Sequence, residues 1–285
     1  MIEWEERAPR WFRDLATPHG FDSDQFDHAI QSAQQHRHRL EYDWDGSYRA
    51  SCPNICADLD TVDADVPRTM ANPPFKDSIQ TSLLHELLDA LVVSGAADAM
   101  LLDHDNIGYV QGMSDVCAFL LLHNLNAWQA FGCVRAMLRR PFSRAVMSID
   151  GPAWYTISRA FELHLAEELP QLHTHLVKIG LDPMMYLAEW LVPLFTRCLN
   201  FRAATAVWDL LISEGELVYF STASAVARAL LPQVVASDDV SKCRLILSRG
   251  GSSISADMLL QLIRSARLSE RVRMHLSRWV PLGTT

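Results

Sequence analysis

Beyond residue 75, apolar positions recur mostly at helical spacing. Between Ser82 and Val93, the side chains Leu83, Leu84, Leu87, Leu88 and Leu91 fall on one face, the i, i+3, i+4 pattern of an amphipathic helix. A second apolar run extends from Val116 to Leu122. Asp182-Pro183 predicts a helix start, a capping carboxylate followed by proline in the first turn, and that helix is expected to run through Tyr186, Trp190 and Phe195. Trp208, Leu211 and Ile212 mark the next helix, which should stop near Gly215. Glu216 to Leu231 alternates ambiguously at first, but its alanines favour helix. Ser237-Asp238, Ser255 and Ser269 read as caps of three terminal helices, and Gly250-Gly251-Ser252-Ser253 reads as a loop. Strand signals are poor throughout, so an all-α fold is expected.

The stretch from Ser47 to Phe75 breaks this pattern. It carries Pro53, Pro67, Pro73 and Pro74 among many aspartates, and few helical periods fit it. It reads as a long ordered loop, a kind of segment that is more often functional than not. No long linker, repeat or low-complexity tract interrupts the chain.

Composition narrows the function classes. With 285 residues, 49% hydrophobic and 21% charged, the chain suits one large globular domain or two subdomains. Its net charge of −9 argues against a general binder of nucleic-acid backbone, because basic groups are dense only locally, as at Arg139-Arg140. No run of eighteen apolar residues predicts a transmembrane helix, and the acidic start Met1-Ile2-Glu3-Trp4-Glu5-Glu6 lacks a signal-peptide core, so a cytoplasmic location without direct membrane insertion is expected. The six cysteines (Cys52, Cys56, Cys117, Cys133, Cys198, Cys243) are scattered among apolar neighbours and are expected to be reduced thiols. Cys52 and Cys56 lie close, but no second pair at metal-ligand spacing follows, so no metal site is expected there.

Three short motifs carry the chemistry. They are Arg7-Ala8-Pro9-Arg10-Trp11, Val62-x-x-Asp65-x-x-Arg68-Thr69, and Tyr109-x-Gln111-Gly112-Met113. In that order and spacing they resemble the Arg-x-x-x-Trp, Ile-x-x-Asp-x-x-Arg-Thr and Tyr-x-Gln motifs of TBC domains, the GTPase-activating domains that act on Rab proteins. Asp182-Pro183, Trp190, Phe195, Trp208-Asp209 and Gly215 extend the agreement, so the resemblance runs from Arg7 to about Leu231. Val62 stands where the family has isoleucine, and residues 20 to 60 show little similarity to it. The resemblance implies an all-helical TBC domain of two subdomains. Approximate limits are 1–160 for the N-terminal catalytic part and 161–285 for the C-terminal part, with the division near 150–165. It also implies a GTP-bound Rab partner, a place in vesicle trafficking, and a cytoplasmic protein peripheral on endomembranes through that partner. Arg68 and Gln111 are the expected catalytic pair. GTP and Mg²⁺ would belong to the partner, so the chain would be an enzyme activator with no cofactor of its own.

The residue types suit that chemistry. Hydrolysis of GTP moves negative charge toward the leaving oxygens, and an arginine supplied in trans is worth about 10³- to 10⁵-fold. Guanidinium stays charged and forks two donors onto phosphate oxygens, which lysine cannot do. The attacking water needs one donor and one acceptor on a neutral group, and the amide of Gln111 provides both. Pro67 fixes its own φ and is expected to bias Val66 to extended geometry, stiffening the chain that presents Arg68. Asp65 and Thr69 are expected to support Arg68, Tyr109 to pack beneath Gln111, and Gly112 to permit a tight turn or a close approach of the partner's backbone. Arg7 and Trp11, one helical turn apart, are expected to buttress the site.

Blander readings compete. Trp11, Trp190 and Trp208 read as core aromatics, and Trp154 and Tyr155 as core or subdomain contacts. One rival function is a TBC fold that binds a partner without activating it. Another is a metal-dependent phosphohydrolase of the HD type, built on His104-Asp105 with His85 and either Asp115 or His123; in that case His85 would leave its default place on a solvated helix face.

Overall fold

The computed structural model describes residues 4–69, 78–102, 107–148 and 151–280. All regular structure among the described residues is helical. The chain divides into two compact units, Met1–Arg140 and Pro141–Thr285, a boundary that falls ahead of the expected 150–165 span.

In the first unit the leucine stripe becomes the buried face of α5 (Ser78–Leu102). Leu84, Leu87, Leu88 and Leu91 are buried, whereas Leu83 lies at the edge of the stripe and is 37% exposed. Around α5 pack α2 (Ser23–Glu41), α4 (Pro53–Asp65), α6 (Met113–Leu122) and α7 (Ala127–Arg139), while α1 (Trp4–Leu15) lies on α7. Every residue of α6 from Met113 to Leu121 is buried, so it is a central helix rather than an amphipathic one.

The expected loop from Ser47 to Phe75 is helical over most of its length. It contains α3 (Ser47–Ser51), α4 and a 3₁₀ turn at Val66–Arg68; residues 70–77 lie outside the described set. The prolines misled because each sits where a helix tolerates it. Pro53 occupies the first position of α4, where its missing N–H would be unpaired anyway. Pro67 lies inside the 3₁₀ turn. Along α4, Cys56, Leu59 and Val62 form a buried stripe at three-residue spacing, and Asp65 continues it.

The second unit contains α8 (Pro141–Ser148), α9 (Gly151–Glu168), α10 (Pro170–Ile179), α11 (Ala188–Leu191), α12 (Phe201–Glu214), α13 (Val218–Val234), α14 (Val240–Arg249), α15 (Ala256–Ser265) and α16 (Glu270–Leu276). α13 is buried along most of its length and packs against α12, α14 and α15; α9 packs against α10 and α16. The helix expected from Asp182 through Phe195 is broken. Asp182 caps a 3₁₀ turn, Pro183–Met185; after the short α11 the chain turns through Leu194 and Phe195 at φ of 50° and 64°. Pro193 explains the break, since it has no N–H for the ladder and its ring clashes with the preceding turn. The end of α12 at Gly215 follows expectation, with φ of 90° there. Ser255 and Ser269 cap α15 and α16, but Asp239 rather than Ser237 or Asp238 caps α14. Gly250–Ser253 forms a 3₁₀ turn instead of a plain loop.

Trp190 and Trp208 are fully buried, and their indole N–H groups donate to the carbonyls of Leu247 (2.8 Å) and Leu194 (3.2 Å). Trp154 is buried too and donates to Val146 O, but Tyr155 is exposed and so is no core residue, with Arg159 over its ring.

Candidate functional site

The site is built where α4 ends. The 3₁₀ turn carries the chain from Asp65 to Arg68, with Val66 in helical geometry at φ −53° and ψ −47° rather than the extended form expected before Pro67. Stiffness at Arg68 therefore comes from the turn and from Asp65. The Asp65 side chain is only 1% exposed, whereas that of Arg68 is 61% exposed. Oδ1 of Asp65 accepts from Nε of Arg68 at 2.8 Å and also from Nη2. Two of the five guanidinium N–H groups are thus taken, and the others remain to meet a ligand.

The second oxygen of Asp65 reaches the other motif. Oδ2 accepts from the Tyr109 hydroxyl at 2.8 Å. Burial pushes the Tyr109 phenol up; Ser114 opposes this and Asp65 adds to it, so the hydroxyl keeps its proton and acts as donor. One buried carboxylate therefore holds both the arginine and the tyrosine that stands two residues before Gln111. Thr69 makes a second link. Its hydroxyl donates to Asp65 O (2.9 Å) and lies 2.8 Å from the Ser114 hydroxyl in the first turn of α6.

Gln111 is exposed and stands just before α6. Gly112, at φ 114°, is the N-cap of that helix, in a region that favours glycine, so the expected tight turn is present. Met113 N donates to Val110 O (2.9 Å) and Val110 N to the Met113 sulfur (3.3 Å), so the chain on either side of Gln111 is tied down.

The N-terminal motif lies against the far part of α6. Trp11 is buried against Phe119 and His123, with ring centroids 6.2 Å and 4.5 Å away. Burial pulls His123 down to about 4, and the half-buried Arg7 pushes the same way. Trp11 thus packs on the helix that follows Gln111, and Arg7 acts on His123.

His85 departs from its default place on a solvated face. Its Nε2 lies 2.7 Å from Oδ1 of Asp63, and its Nδ1 lies 3.5 Å from Oδ2 of Asp89. Arg37 donates to the same two aspartates. His104 and Asp105 lie outside the described residues. Among the described residues, no group of three or more His, Cys, Asp or Glu is placed to hold a metal ion. The sulfurs of Cys52 and Cys56 lie 3.0 Å apart as free thiols at the start of α4. No described helix is long and apolar enough to cross a membrane.

Sequence reasoning missed Asp58. It stands seven residues before Asp65 and so, at the helical repeat, on the same side of α4. Burial pushes its carboxyl up, and the nearby backbone N–H of Tyr109 opposes that. The spacing of seven was the available signal.

A two-unit helical fold with an arginine and a glutamine motif joined by a buried aspartate defines a class, and comparison with known proteins gives it a family. Residues 22–233 match the Rab-GTPase-TBC domain, and the chain belongs to that family. The matched span includes Asp65, Arg68, Tyr109 and Gln111 and leaves out Arg7 and Trp11. Human TBC1 domain family member 14 is 28% identical over 222 residues, covering 75% of this chain and 30% of that protein. Xenopus tropicalis TBC1 domain family member 12 is 31% identical over 186 residues, covering 63% of this chain and 25% of that protein. The chain thus spans about a third or less of the length of these relatives. In fold it resembles the Chlamydomonas flagellar RabGAP TBC domain, with a TM-score of 0.71 at 18% identity over 94% of this chain and 82% of that one. The Ypt/Rab-GAP domain of Gyp1p aligns with a TM-score of 0.65 at 14% identity over 93% of this chain and 88% of that one.

Proposed function

We propose that this chain accelerates GTP hydrolysis by a Rab-family small GTPase, supplying Arg68 and Gln111 in trans. The observation that carries the proposal is the shared grip of Asp65, which holds the exposed Arg68 and the Tyr109 next to the Gln111 segment. A buried carboxylate in that position fixes the base of the guanidinium while leaving donors free for phosphate oxygens. Arg68 would neutralise charge on the transferring phosphoryl group, and the Gln111 amide would orient the attacking water. GTP and Mg²⁺ arrive with the partner, so the chain acts as an activator, in the cytoplasm and on endomembranes through that partner.

The test uses GTP-loaded Rabs whose own catalytic glutamine has been replaced. A chain that supplies Gln111 should still stimulate such a variant, and Gln111→Ala should abolish that stimulation. If the replacement in the partner abolished stimulation while Gln111→Ala in this chain had no effect, the water would be held by the partner and the dual assignment would fail. A chain that binds GTP-loaded Rabs and stimulates none would be the inactive scaffold instead.

A further inference from the structure

Two carboxylates of α4 meet the Gly108–Tyr109 segment. Asp65 takes the Tyr109 hydroxyl, and the carboxylate of Asp58, two turns earlier on α4, lies against the Gly108 backbone with the Tyr109 N–H close by. Gly108 makes the second contact possible. A Cβ on that residue would meet Oδ2 of Asp58 at 2.3 Å and Cγ at 3.0 Å, so the carboxylate fills the space a side chain would occupy. Glycine leaves room for that carboxylate, whereas at Gly112 it suits the positive φ. Across Gln111, Val110 and Met113 exchange hydrogen bonds at the start of α6.

We infer that Asp58 is a positioning residue for Gln111: by holding the Gly108–Tyr109 backbone against α4, it sets the orientation from which the exposed amide meets its water. This inference rests on the proposed GTPase-activating function. The half-buried carboxylate bears a cost for its place, since burial pushes its carboxyl up and the Tyr109 N–H offsets that only in part. The same helix carries Asp65 and leads directly into Arg68, so one rigid element sets the register of both fingers. An arginine fixed by Asp65 and a glutamine fixed by Asp58 keep their spacing as long as α4 stays intact. Small displacements matter at such a site, because misplacing a reacting group by an ångström costs on the order of a hundredfold in rate.

The experiment compares single-turnover hydrolysis by a GTP-loaded Rab with the wild-type chain, Asp58→Ala, Asp58→Asn, Gln111→Ala and the Asp58→Ala/Gln111→Ala double variant. Asp58→Ala should lower the maximal stimulated rate by roughly ten- to a hundredfold, leaving the half-saturating concentration of activator unchanged. Asp58→Asn should recover most of that rate, since it fills the same space beside Gly108 and keeps an oxygen near the N–H. In the Gln111→Ala background, Asp58→Ala should add little further loss, because Asp58 acts through Gln111. Hydrogen exchange at the Tyr109 amide should speed up in Asp58→Ala and stay slow in Asp58→Asn. Full activity in Asp58→Ala, losses that multiply in the double variant, or an Asn variant as poor as Ala would each overturn the inference. A wild-type chain that stimulates no Rab would instead overturn the function on which it rests, and the catalytic consequence with it.

Discussion

At the scale of single residues, the site depends on how Asp65 divides its two oxygens between Arg68 and Tyr109. Arg68→Lys keeps a positive charge but cannot hold Asp65 and fork onto phosphate at once. Both Arg68→Lys and Arg68→Ala should therefore lose most stimulated hydrolysis, equivalent to roughly 4 to 7 kcal/mol of barrier, while binding to the GTP-loaded partner persists. A lysine variant with near-normal turnover would show that charge alone suffices. Gln111→Glu should fail as Gln111→Ala does, because a carboxylate lacks the donor, and side-by-side turnover measurements check it. Tyr109→Phe leaves a buried oxygen of Asp65 without its donor, which should cost about 1 to 3 kcal/mol of stability, read by denaturant unfolding. A phenylalanine variant as stable as wild type would mean that water replaces the lost donor. Arg68 and Gln111 stand out in the sequence as candidates because each sits inside a short motif. The bond that joins the motifs could not, because Tyr109 and Asp65 are 44 residues apart and no local pattern pairs them.

At the scale of elements, α4 is the part least readable from sequence and the part on which the site depends. Its aspartates and flanking prolines suggest a loop, yet Pro53 starts the helix and Pro67 sits in the turn that ends it. A proline breaks a helix or starts one according to where the helix begins, and that boundary is set by tertiary packing against α5. The Arg37, Asp63, Asp89 and His85 network then fastens α4 to α2 and α5. His85 is raised by its hydrogen bond to Asp89, with burial opposing and Asp63 assisting. For Asp89 burial pushes upward, but the hydrogen bonds from His85 and Arg37 outweigh it and hold the carboxyl below its usual range. The contribution of His85 is complete below its ordinary 6.5 and is lost as pH rises through its raised folded value. That of Asp89 is complete above its ordinary 3.8 and is lost as pH falls through its lowered one. The stability difference between wild type and His85→Ala should therefore be largest between pH 3.8 and 6.5 and shrink on the alkaline side. Urea unfolding of both proteins across pH checks this, and a difference that grows with pH would contradict it. The readout is the difference between the two, because His123, drawn down to about 4 chiefly by burial, drives total stability the opposite way in mild acid.

At the scale of the whole molecule, the tryptophans separate fold from chemistry. Their large aromatic side chains made Trp11, Trp190 and Trp208 legible as core, and all three are buried. Helical spacing did not reveal the break after Leu191, because Pro193 and the left-handed Leu194 and Phe195 preserve an apolar sequence while abandoning helical geometry. Trp190→Ala removes a fully buried side chain and leaves Leu247 O without its donor. It should cost about 3 to 5 kcal/mol, a large share of the roughly 5 to 15 kcal/mol that stabilises a domain. Its melting temperature and soluble yield should fall, with stimulation dropping in proportion to folded protein; normal melting with lost partner binding would move Trp190 to an interaction surface. Arg68→Ala should melt almost normally, since an exposed arginine holds little of the fold together. The central claim is tested most directly by single-turnover GTP hydrolysis across a panel of purified, GTP-loaded Rabs, with the wild-type chain beside Arg68→Ala. Strong acceleration of at least one Rab by wild type, lost in an Arg68→Ala protein that melts normally and still binds that Rab, is the predicted result. Acceleration that survives Arg68→Ala, or a folded wild-type chain that accelerates no Rab, would contradict it.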